Sequence, residues 1–117
     1  MILERTNAKG VVARFTTPVF SFKMSRFAAE NIVNAELILK ACGNTVLHKD
    51  FSSADVNTAT NVVSWTLTQE ESGSLPQGKK LAVYFRWLLE DGTCGRGKYS
   101  EVQVVESGSE EVMTNGE

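Results

Sequence analysis

The segment Gly92-Thr93-Cys94-Gly95-Arg96-Gly97-Lys98-Tyr99 matches G-x-x-x-x-G-K, the spacing of a loop whose backbone amides cradle phosphates. A magnesium-holding Ser or Thr should follow the lysine, and Tyr99 stands there instead. The motif also needs a helix after it, so that the helix N-terminus faces the phosphates. The residues that follow, Ser100-Glu101-Val102-Gln103-Val104-Val105, have the pattern of a strand. The segment is therefore read as a glycine-rich hairpin or sheet-crossing loop with solvated Arg96 and Lys98. Cys94 and the single histidine, His48, are a conceivable nucleophile and base, but no motif surrounds either. One His and two separated Cys, Cys42 and Cys94, fall short of a closed zinc shell.

The carboxylates have structural explanations. Glu70-Glu71 falls in Thr68-Gln69-Glu70-Glu71, which has the form of a capping box, and Glu90-Asp91 falls at an expected turn before Gly92. Trp65, Phe85 and Trp87 are assigned to the core, whereas Tyr84 and Tyr99 are placed outward, where they could form a contact or sugar-stacking patch. The expectation is thus no catalytic, cofactor-binding or metal-binding residues, no cofactor and no enzymatic activity.

Alternating side chains must position these residues. Leu81, Val83, Phe85, Trp87 and Leu89 alternate with Ala82, Tyr84, Arg86 and Leu88, the period-two signature of a strand buried on one face. Val63, Trp65 and Leu67 repeat it, as do Phe20, Phe22 and Met24, and Val102 with Val104 near the end. Val33, Ala35, Leu37, Leu39 and Ala41 alternate too, although Ser25–Ala41 also has helix-friendly composition. The reading adopted is a loop or short turn through Arg26–Ile32 followed by a strand. Cys42-Gly43-Asn44 marks a turn before a strand over Thr45–Phe51, and Pro76-Gln77-Gly78 a tight turn before Lys80. The Thr68–Glu71 box predicts one helical turn between two strands. Strands at this spacing predict an all-β, immunoglobulin-like antiparallel β-sandwich.

With 117 residues, 42% hydrophobic and 22% charged, the chain is sized for one globular domain. That domain is assigned to residues 1–106, with a disordered acidic tail over 107–117, where apolar residues are few. Twelve basic residues spread along a chain of net charge −2 argue against nucleic acid. No apolar run is long enough to cross a bilayer, and the first residues lack a charged segment followed by an apolar one. Those features predict a cytoplasmic compartment and two free thiols.

The stretch from Val63 to Phe85, with its Leu67-Thr68 segment, acidic turn, Leu75, Gly78 and long aromatic strand, resembles the N-terminal β-sandwich domain of phage baseplate upper proteins. The Asp91-Gly92 turn, the final Tyr99–Val105 strand and the early strands follow in the same order, so the likeness covers most of Val11–Glu106. It departs from that family in lacking a long second region here. The resemblance implies a non-enzymatic structural or assembly protein of a phage or prophage particle (tail, baseplate or head accessory). Its partners would be other phage structural proteins or a second copy, with no nucleic acid and no membrane. Its location would be the cytoplasm of the bacterial host or the virion. A carbohydrate-binding module using an exposed aromatic face is the alternative.

Overall fold

The computed structural model describes the backbone at residues 2–4, 11–24, 28–105 and 113, and side chains at 12–24, 28–96, 101–105 and 113. Among the described residues nine strands form two sheets: β1 (Ile2–Glu4), β2 (Val11–Ala13), β3 (Val19–Lys23), β4 (Ile32–Ala41), β5 (Asn44–Lys49), β6 (Asp55–Asn57), β7 (Val62–Thr66), β8 (Lys80–Leu89) and β9 (Cys94–Val105). One sheet runs β1-β3-β7-β6 and the other β2-β9-β8-β4-β5. The order 1-3-7-6 facing 9-8-4 is the immunoglobulin arrangement, with β2 and β5 added at the edges of the larger sheet. Every pair described is antiparallel except β2 with β9, which is parallel.

Alternation fills the space between the sheets. Phe20, Phe22, Val63, Trp65, Leu37, Leu39, Leu81, Val83 and Phe85 are all buried, each at a position where its strand turns inward. In antibody domains a disulfide joins the two sheets. Here Phe22 of β3 stacks on Phe85 of β8 at 4.5 Å and 14°, and Trp65 meets both edge-on. Trp65 Nε1 donates to the Asp50 carbonyl at 2.9 Å, so the largest core ring brings its one polar atom to a partner.

The turns follow the residues that mark them. Cys42 (φ 52°) and Gly43 (φ 82°) both lie in the left-handed region, as the two central residues of a type I′ hairpin must. Between β7 and β8, α1 (Gln69–Gly73) carries the expected box: Thr68 Oγ1 accepts from Glu71 N, and Glu71 Oε1 accepts from Thr68 N. The buried Ser72 hydroxyl then fastens α1 to the β2–β3 connection, donating to Thr16 O at 2.7 Å and accepting from Thr16 N at 2.9 Å.

Five expectations need correction or extension. Val33 does not point inward. A register shift between Ile32 and Asn34 takes it out of the ladder and leaves it 51% exposed. Of the hairpin or sheet-crossing loop expected around Gly92–Tyr99, the hairpin forms: the chain turns at 90–93, and Gly95 and Gly97 already lie inside β9. The segment after residue 28 begins with a 3-10 turn, Ala29–Asn31, and the strand follows at Ile32; residues 25–27 of the ambiguous stretch lie outside the described residues. The strand expected over Thr45–Phe51 ends at Lys49, and Phe51–Ser53 forms a 3-10 turn capped by Asp50. Of the expected tail, 107–117, only Met113 is described, and its N–H and carbonyl both bond to the Gln69 side chain, at 2.7 and 2.9 Å.

Candidate interaction face

The outward side chains of β4, β5, β8 and β9 share one face because these strands are neighbours in register. Glu36 lies opposite Arg86, which lies opposite Arg96; Ile38 lies between His48 and Tyr84. Glu36 is the hub. Its Oε1 accepts from Arg86 Nε at 2.7 Å, and its Oε2 is 2.6 Å from His48 Nε2. Half-exposed pairs of this kind contribute roughly 0.2–1 kcal/mol each, so they order the face more than they hold the fold. Lys40 sets its ammonium over the Tyr84 ring at 5.6 Å. Ile38, Lys40, Tyr84, Arg86 and Arg96 line a shallow depression of about 370 Å³.

Beside it, a smaller hollow of about 120 Å³ is lined by Asn34, Glu36, Arg86, Trp87, Leu88 and Cys94. Trp87 stacks on Phe85 at 5.3 Å, and its buried Nε1 has no hydrogen-bond partner among the described residues. The opposite outer face, on the four-stranded sheet, is made of small side chains. Val19, Ser21, Asp55, Asn57, Val62 and Ser64 line a broad concavity of about 670 Å³ there.

Turns next to these faces hold two carboxylates well ionised. A Ser52 hydroxyl bond lowers the Asp50 pKa below its usual value, and the Thr93 backbone N–H does the same for Asp91 at the β8–β9 turn. Both are solvated capping groups. Glu71 is also lowered: burial raises its pKa, but the Lys49 ammonium at 2.7 Å and the Thr68 bonds outweigh that.

The residues singled out for chemistry are placed apart. His48 is on β5 and Cys94 on β9, with β4 and β8 between them. His48 is level with Ile38, and Cys94 with Asn34 through Leu88. Three strand spacings across and four residues along separate them by roughly 14 Å and 13 Å, so they do not meet as nucleophile and base. Both cysteines are free and exposed. The glycine-rich segment continues as β9, so no helix N-terminus follows Lys98. Among the described residues no three His, Cys, Asp or Glu side chains gather as metal ligands. Tyr84 has one ring face occupied by Lys40, and the Tyr99 side chain lies outside the described residues, so a paired sugar-stacking platform gains no support. The Glu36–Arg86–Arg96 row has no counterpart in the sequence reading, since its members belong to three strands far apart in the chain. No helix among the described residues is long and apolar enough to cross a membrane. Comparison with protein-family models finds no match, and comparison with curated protein sequences finds none either.

Proposed function

We propose that this chain is a non-enzymatic binding domain acting through protein–protein contacts, as a structural or assembly part of a phage or prophage particle. The observation that carries the binding half is the outer face of the five-stranded sheet. It offers an ordered row of arginine, tyrosine and isoleucine side chains on rigid strands, with shallow relief. Arg and Tyr are the residue types that concentrate at protein contacts, because each combines a large contact area with a polar group. Supporting the same half, the space between the sheets is occupied by the Phe22–Trp65–Phe85 cluster. The particle half is supported by the resemblance of Val63–Phe85, and of the strand order around it, to the baseplate upper domain.

The test is quantitative mass spectrometry of particles purified after prophage induction in the source bacterium. The expected result is this chain in fixed ratio to known particle proteins. Its absence from purified particles while abundant in the lysate would refute the particle role.

A further inference from the structure

We infer that the five-stranded sheet docks a protein partner through Tyr84 and Ile38, ringed by Lys40 and Arg96, and that the partner surface presents carboxylates. This rests on the binding-domain reading and adds the face and the partner's chemistry.

The described cations on this face, Lys40, Lys80, Arg86 and Arg96, outnumber its described carboxylates, Glu36 and Glu101, although the chain as a whole is slightly acidic. Glu36 is engaged by Arg86 on one oxygen and by His48 on the other. Lys40 and Arg96 then have no ion-pair partner among the described residues. Arg96 is exposed, and the ammonium of Lys40 rests on an aromatic ring rather than on a carboxylate. The outer face of the other sheet is lined mainly by small uncharged side chains, and its Asp55 is matched by an exposed cation, Lys23. Cationic groups around a partly buried Tyr and Ile form an apolar centre with a polar rim, the layout of a protein contact. A partner with carboxylates at the rim would be steered to this face and would satisfy Lys40 and Arg96 on docking. Nucleic acid fits less well, since strong duplex binding uses about 6–10 phosphate contacts and the described residues of this depression offer three cations, one already paired to Glu36.

The experiment is an NMR titration of the isotope-labelled chain at low salt, with a hexaglutamate peptide as probe and hexalysine and a short DNA duplex in parallel. The expected result is shift changes clustered at Ile38, Lys40, Tyr84 and Arg96 with hexaglutamate and none there with hexalysine. The double variant Lys40→Glu, Arg96→Glu should weaken hexaglutamate binding by about tenfold with the same unfolding midpoint. Three results would each overturn the inference: changes clustered on Asp55–Asn57, equal affinity in the variant, or tighter binding of the duplex than of the peptide. Particle mass spectrometry reads the particle role, whereas this titration reads the face, so the two ideas fail separately.

Discussion

Gly95 is where the aromatic cluster meets the sheet backbone, and replacing it with Ala isolates that contact. Gly95 pairs with Trp87 across β8 and β9, and a Cβ on Gly95 would stand 2.2 Å from Trp87 Cζ2 and 2.5 Å from Cε2. The ring cannot retreat toward the core, because it stacks on Phe85, which stacks on Phe22, and swinging into the hollow beside it would break that stacking. Without the clash the substitution would help, since glycine inside a strand costs roughly 0.5–1 kcal/mol relative to Ala. Overpacking of this kind costs about 1–3 kcal/mol, so a net loss near 1–2 kcal/mol is expected. For a domain of this size that lowers the melting temperature by roughly 4–10 °C. Urea unfolding of Gly95→Ala in the natural and in a Trp87→Phe background measures the coupling. The smaller ring removes the clashing atoms and also the unpartnered indole N–H, so Gly95→Ala should be near neutral there. Equal losses in the two backgrounds, or a gain in the natural one, would refute the packing argument.

Two further changes probe the turns. Cys42→Asn should raise stability by about 0.5–1 kcal/mol in thermal unfolding, because Asn tolerates the left-handed backbone that Cys42 adopts ahead of Gly43. Glu71 links the capping box to Lys49 of β5, and its pKa in the folded chain lies below the ordinary 4.5. Its stabilising effect is therefore complete above pH 4.5 and lost as the pH falls through the lower folded value. Glu71→Gln should be less stable at neutral pH and show a flatter decline in acid, as read by urea midpoints across pH.

Strands long enough to alternate are legible in the order of residues alone. Leu81–Leu89 and Val62–Thr66 carry large apolar groups at every second position, and those positions are where the core forms. The three-residue strands β1, β2 and β6 escape such a reading because three residues hold no visible period, and every residue of β6 is exposed. Val33 reads as inward, yet lies outward, since a bulge shifts the register without any mark in composition. Gly95 and Gly97 suggest a loop, yet Gly95 serves packing, giving Trp87 the space that a side chain would fill. The candidate face is the least legible part. Its charges come together only when β4 pairs with β8, placing Glu36 beside Arg86, and β8 with β9, placing Arg86 beside Arg96.

Lysine acylation of the chain, free and within purified particles, tests the docking face most directly. Lys40 lies on the five-stranded sheet, and the exposed Lys23 on the four-stranded one serves as the internal reference. The account predicts that Lys40 labelling falls several-fold on assembly while Lys23 labelling is unchanged. Protection of Lys23 with Lys40 still reactive would contradict it.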